Sequence, residues 1–240
     1  MYNLKTTKIL KYFAFTLAET LITLGIIGVV AALTIPGLIQ SYQKQQTVVK
    51  LKKAYAILNQ IARNSSNENG DAVTFLTTDT DVNENTTKEF FEKYWFSYLN
   101  APTIDTKSNL RYKNINGENW GITVQTNYSA GRVLFTTMDG TSYFVLLMKW
   151  IKDENVETGQ KALYSSKQSI YVDLNGIKPP NTHGRDIFGF EIDFDNNNAV
   201  PMCSKSSKDD INKQCKTSGS CCSEKIKRDG WSITKDYPWK

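Results

Sequence analysis

The chain has 240 residues, enough for one domain of moderate size with a real core beside a shorter accessory segment. Hydrophobic residues make up 40% and charged residues 22%, which excludes a largely disordered chain. The formal charge is +5, but Lys5, Lys8 and Lys11 supply three of those charges, so no basic face is indicated and no nucleic-acid partner is expected.

The N-terminal lysines are followed by an apolar run. From Phe15 to Ile39 the only ionisable side chain is Glu19, and a helix of about 20 such residues spans a bilayer core. In an ordinary signal peptide a small residue follows the apolar core and marks the cut. Here the small residue, Ala14, precedes the core, so cleavage at Ala14–Phe15 would remove a basic leader and leave the apolar helix in place. A carboxylate at such a position costs about 2.5–3.5 kcal/mol and calls for a partner, yet no Lys, Arg or His lies between Phe15 and Ile39.

The order Ala14-Phe15-Thr16-Leu17-Ala18-Glu19 followed by the apolar run resembles the class III leader of type IV pilins and type II secretion pseudopilins. The resemblance covers about the first 50 residues. It implies that a prepilin peptidase cuts before Phe15 and methylates the new amine, with Ala14 standing where the family usually has Gly. It further implies that Glu19 pairs with that amine, on its own chain or a neighbour's, during filament assembly, and that Pro36 marks a bend or melted turn of the assembly helix. The domain plan is then a leader at 1–14, a transmembrane and assembly helix at 15–39 and a head at 40–240. The implied location is the inner (cytoplasmic) membrane, single-pass with the head outside the cytoplasm, then a periplasmic or cell-surface filament. The implied partners are the prepilin peptidase, other pilin or pseudopilin subunits, and the membrane.

From Gln40 to Arg63 the pattern turns amphipathic. Val48, Leu51, Tyr55, Leu58 and Ile61 or Ala62 recur at three- and four-residue steps, while Lys44, Lys50, Lys52 and Lys53 form a solvated face. Residues 64–87 are rich in Asn, Ser, Thr and Asp and predict a loop; Asp79, Asp81 and Asn83 alternate like calcium ligands but lack the glycine and terminal Glu of an EF-hand. Lys88 to Leu99 predicts a short helix burying Phe90, Phe91, Tyr94, Trp95 and Tyr98, ended by Pro102. Strands are predicted at Asn119–Thr126, Arg132–Met138, Thr141–Lys149, Ser169–Leu174 and Ile187–Phe194, with a two-residue hairpin at Asp139-Gly140. The fold class is therefore α+β, a long N-terminal helix packed on an antiparallel sheet, which is also the architecture the pilin resemblance implies.

Asp173, Asn175, Asn181 and Asp186 surround a Gly- and Pro-rich loop. They suit either a calcium site or Asx-capped turns; the ligand pattern is incomplete, turns are the stronger expectation, and no metal or cofactor is assigned. The four cysteines, Cys203, Cys215, Cys221 and Cys222, cluster near the C-terminus and suggest disulfides formed in an oxidising compartment. A bridge between the adjacent Cys221 and Cys222 would be strained, so Cys203 and Cys215 are expected to pair with these two in either order, stapling a polar tail with little core of its own. His183 belongs to no catalytic motif and is expected in a solvent-exposed loop. The sequence thus predicts no enzyme. It predicts a structural filament subunit, or alternatively a minor pilin whose head acts as a binding module for a surface, a substrate or DNA.

Overall fold

Residues 16–69, 83–99, 103–105, 109–125, 132–146, 167–193 and 196–239 are described by a computed structural model, which divides into two units at Gln43 and Lys44. One helix, α1 (Leu17–Asn69), contributes to both. Up to Ile39 it is built mostly of Leu, Ile, Val, Ala and Gly. Its threonines spend their hydroxyls locally, Thr20 on Leu17 O at 2.8 Å, Thr23 on Glu19 O at 2.8 Å and Thr34 on Val30 O at 2.9 Å, so the apolar stretch carries no idle hydroxyl. Its large side chains are exposed, Leu21 by 62% and Leu33 by 78%. An 18-residue window has mean hydropathy 2.3 with none of it buried, long and apolar enough to cross a membrane. Pro36 lies inside the helix and does not end it; the loss of one backbone donor is absorbed within the continuous helix.

In the second unit, α1 buries Leu51, Ala54, Leu58, Ile61 and Ala62, a stripe at helical spacing. These residues share one core with Val133, Phe135, Tyr143, Val145 and Phe190. The helix outlasts the predicted boundary at Arg63. Its polar last turns are tied down: the Asn69 amide donates to the Tyr98 hydroxyl at 3.0 Å, which donates to Glu68 at 2.8 Å, so polar composition there does not mean loop. The lysine face is not simply solvated either. Lys50 Nζ donates to Leu174 O at 3.0 Å, Lys53 pairs with Asp139 at 2.6 Å, and Lys52 lies 5.9 Å from the Trp231 ring centroid. The turn at Asp139, the segment after Asp173 and the C-terminal segment of the head are thereby pinned to one helix.

After α1 come α2 (Glu84–Tyr94), four residues earlier than predicted, and a 3-10 turn (Phe96–Tyr98). Asp79, Asp81 and Pro102 lie outside the described residues, and Asn83 accepts from the Asn85 N–H at the start of α2. The strands are β1 (Thr103–Asp105), β2 (Asn109–Lys113), β3 (Asn119–Gln125), β4 (Arg132–Thr136), β5 (Ser142–Leu146), β6 (Lys167–Asp173), β7 (Ile187–Asp193) and β8 (Asn198–Pro201). Six form one antiparallel sheet in the order β1-β4-β5-β6-β7-β8, and β2 and β3 pair separately. The core between sheet and helices is aromatic: Phe135 stacks on Tyr143 at 5.2 Å, and Trp95 meets Phe135 edge-on at 5.9 Å.

The β4–β5 turn differs from the expected two-residue hairpin. Thr137 N donates to Thr141 O and Gly140 N to Thr137 O, which makes a three-residue loop, Met138 to Gly140, with Gly140 at φ +81°. That is a type I turn closed by a left-handed residue. Asp139 accepts from the Thr137 hydroxyl, the Thr141 N–H and Lys53. Burial works to raise its pKa, but these bonds outweigh it and hold Asp139 down at about 2.

The C-terminal tail also departs from expectation. It contains α3 (Lys208–Thr217), capped by the Ser207 hydroxyl on Asp210 N, and α4 (Cys222–Arg228). Ile211, Cys215, Cys221, Cys222, Ile226 and Tyr237 are buried, so this segment has a core, reached through scattered side chains rather than a long apolar stripe.

Candidate functional site

Of the residues singled out in the N-terminal segment, Ala14 and Phe15 lie outside the described residues. Glu19 has hydrogen-bond partners within its own first turn. It stands at the third position of α1 after Thr16, and its carboxylate accepts from the Thr16 N–H at 2.9 Å and the Thr16 hydroxyl at 2.8 Å, while the Glu19 N–H donates back to that hydroxyl at 3.2 Å. This is a capping box, in which the side chains at both ends satisfy backbone donors that the first helical turn leaves open. The signal, T-x-x-E ahead of an apolar run, is present in the sequence itself.

In the head, the cysteines resolve into Cys203–Cys221 and Cys215–Cys222, one of the two expected pairings. The second ties α3 to α4 across 7 residues and the first closes the preceding turn across 18. The loop before β7 lies against these helices. Its His183 is fully buried, against the expectation of an exposed loop histidine. The reason is tertiary: His183 N donates to Lys113 O at 2.8 Å, its ring meets Tyr171 edge-on at 5.8 Å, and the Gly219 turn sits on its carbonyl. Burial pushes the imidazole pKa down to about 3, so it is neutral at physiological pH.

Gly184 and Gly219, both at φ +83°, allow this approach. A Cβ on Gly184 would stand 2.9 Å from Cys222 Sγ, and one on Gly219 would overlap the His183 carbonyl. Gly219→Ala is therefore expected to destabilise the head by about 2–4 kcal/mol, from a strained φ and a backbone clash together. A chemical-denaturation midpoint unchanged from wild type would show that the turn yields freely. The Tyr237 hydroxyl closes the same block by donating to Gly184 O.

Asp173 and Asp186 face the turn between β6 and β7. Asp186 accepts the N–H groups of Asn181 at 2.8 Å and Thr182 at 2.6 Å; Asp173 accepts that of Asn175 at 3.3 Å. The Asn175 and Asn181 amides donate to Pro179 O and Ile177 O, both at 3.3 Å. These are the bonds of Asx-capped turns. Asp173 is 1% exposed, and burial together with the Asp186 charge pushes its pKa up to about 8; burial also raises that of Asp186. Among the described residues no three His, Cys, Asp or Glu side chains gather as a metal centre would require, and no cysteine is free.

Lys225 organises the opposite end of α4. Its ammonium is buried and bonds Asp229 at 2.9 Å and Asp236 at 2.7 Å. Burial favours the neutral amine, but the two carboxylates outweigh it and raise the pKa. Arg228 reaches Glu224 and the carbonyls of Ser204 and Ser206, fixing the disulfide-closed turn. The arrangement is one of anchoring and capping, with charged groups consumed by structure.

No curated protein and no solved structure matches the chain. Residues 37–240 match the model of a family of unknown function, DUF6613, and the chain belongs to that family.

Proposed function

We propose that the protein is a non-enzymatic, structural subunit of a type IV pilus or type II secretion filament. The observation that carries the reading is the N-terminal helix: apolar and exposed through its first unit, with Glu19 as its one ionisable residue up to Ile39. A basic leader precedes it, with the small residue on the leader side of the apolar core, as the pilin and pseudopilin leaders have it. The helix holds the subunit in the cytoplasmic membrane with the head outside, and after the cut at Ala14–Phe15 the same apolar surface packs against neighbouring subunits. The antiparallel sheet beside α1 and the two disulfides support it as well, since disulfides persist in an oxidising compartment.

Co-expression with a prepilin peptidase tests this. A mature chain is expected that begins at an N-methylated Phe15, found by intact mass. Ala14→Trp is expected to leave the full-length chain uncut, seen as a persistent slower band. Recovery of only full-length chain from wild type, or a cut after the apolar run, would overturn the proposal.

A further inference from the structure

A cleft of about 360 Å³ opens on the head between the end of β2, the loop before β7 and the C-terminal segment. Such a volume suits a small-molecule subsite. Its apolar lining comprises Ile115 and the rings of Pro179, Pro180, Pro238 and Trp239, and its charged lining two cations, Lys113 and Arg185. The Arg185 guanidinium stands 5.8 Å from the Trp239 ring centroid, so the cation and the aromatic platform are held together. Among the described residues neither cation forms a salt bridge. The carboxylate next to Arg185, Asp186, accepts the N–H groups of Asn181 and Thr182, feels the Arg185 charge without forming a salt bridge with it, and does not line the cleft.

Polar groups are interleaved with the rings. The Asn116 amide nitrogen donates to Thr217 O and the Thr182 hydroxyl to Pro180 O, which leaves the Asn116 carbonyl and the Thr182 oxygen to accept. A ligand that answers all of these features has a negative charge, a flat apolar face and hydroxyl donors around its ring. An aromatic carboxylate answers the first two and leaves the acceptors unmatched; a neutral sugar leaves both cations unmatched.

We infer that this cleft binds a carboxylate-bearing pyranose, a uronic acid residue of an acidic polysaccharide. The carboxylate takes Arg185 and Lys113, the apolar face of the ring lies on Trp239, and ring hydroxyls donate to Asn116 and Thr182. The inference stands on the head alone and holds whether or not the chain polymerises.

Titration of tri-galacturonate into the full-length chain in nonionic detergent, followed by calorimetry, is expected to saturate and to weaken severalfold as salt is raised. Arg185→Gln and, separately, Lys113→Gln are each expected to weaken binding by roughly tenfold with an unchanged thermal melt. A neutral galactose trisaccharide is expected to bind at least about tenfold more weakly, and benzoate likewise. Absence of saturable heat, equal binding by the folded Lys113 variant, or benzoate binding as tightly as tri-galacturonate would overturn the assignment.

Discussion

Glu19→Ala is expected to leave cleavage at Ala14–Phe15 intact while reducing filament yield by on the order of tenfold or more, because on the proposed function the Glu19 charge meets a cationic partner in the assembled fibre, and that pairing helps the helix leave the membrane. The capping box complicates the experiment and also resolves it. Alanine removes both the charge and the cap on Thr16, so loss of assembly in Glu19→Ala alone does not say which mattered. Glutamine keeps the cap, since Gln serves at this position of a capping box, and removes the charge. On the proposed function, Glu19→Gln fails to assemble as Glu19→Ala does. Thr16→Ala, which keeps the charge and costs the helix start about 1 kcal/mol, assembles. Filaments from Glu19→Gln at wild-type yield would refute pairing by charge and leave Glu19 as a helix cap.

Stability of the head is expected to fall between about pH 6.5 and pH 8, and Asp173→Asn is expected to remove that fall. In the folded state Asp173 keeps its proton up to about 8, whereas the unfolded chain releases it near 3.8. Between those values the native state binds more protons, so stability declines as pH rises, by up to about 1.4 kcal/mol per pH unit. His183 acts in the opposite direction. It is neutral in the fold down to about 3 while the unfolded imidazole protonates near 6.5, so below 6.5 the unfolded state binds the extra proton and stability rises with pH. The two slopes oppose each other between about pH 4 and 6.5, and above 6.5 only the aspartate remains. Asp139 and Asp236, held at about 2, are ionised in both states throughout this window. Urea midpoints from pH 5 to 8.5 check the shape: a plateau then a decline of about 2 kcal/mol in wild type, and no decline above 6.5 in Asp173→Asn. A wild-type profile that rises through pH 8 would contradict the burial of an uncompensated Asp173.

Several structural surprises trace to short polar segments whose meaning depends on distant partners. The end of α1 looks like loop because Ser65, Glu68 and Asn69 are polar, yet Tyr98, 29 residues on from Asn69, engages two of them. The lysines of α1 look like a solvated face because their partners, Leu174 O, Asp139 and Trp231, lie far along the chain. His183 looks exposed because Pro and Gly surround it; the α3–α4 block buries it. By contrast, the Thr16–Glu19 cap is local, spans three residues, and was readable without any fold.

What the sequence determined by itself is what short-range physics dictates. From Leu17 to Ile39 the chain is apolar with one carboxylate and forms a helix long and apolar enough to cross a membrane. The Leu51-to-Ala62 stripe faces a core, and the period-two stretches from Arg132 onward are strands around the Asp139-Gly140 turn. Strain between adjacent cysteines leaves two pairings. Tertiary structure alone decided the rest. It placed β1 beside β4 across the inserted β2–β3 pair, chose Cys203–Cys221 over its alternative, buried Asp173 beside Asp186, and gathered Lys113, Arg185 and Trp239 around one cleft. Those outcomes depend on contacts between residues tens of positions apart, whose energies exist only once the chain has closed, whereas helix, turn and strand preferences are felt over a few residues at a time.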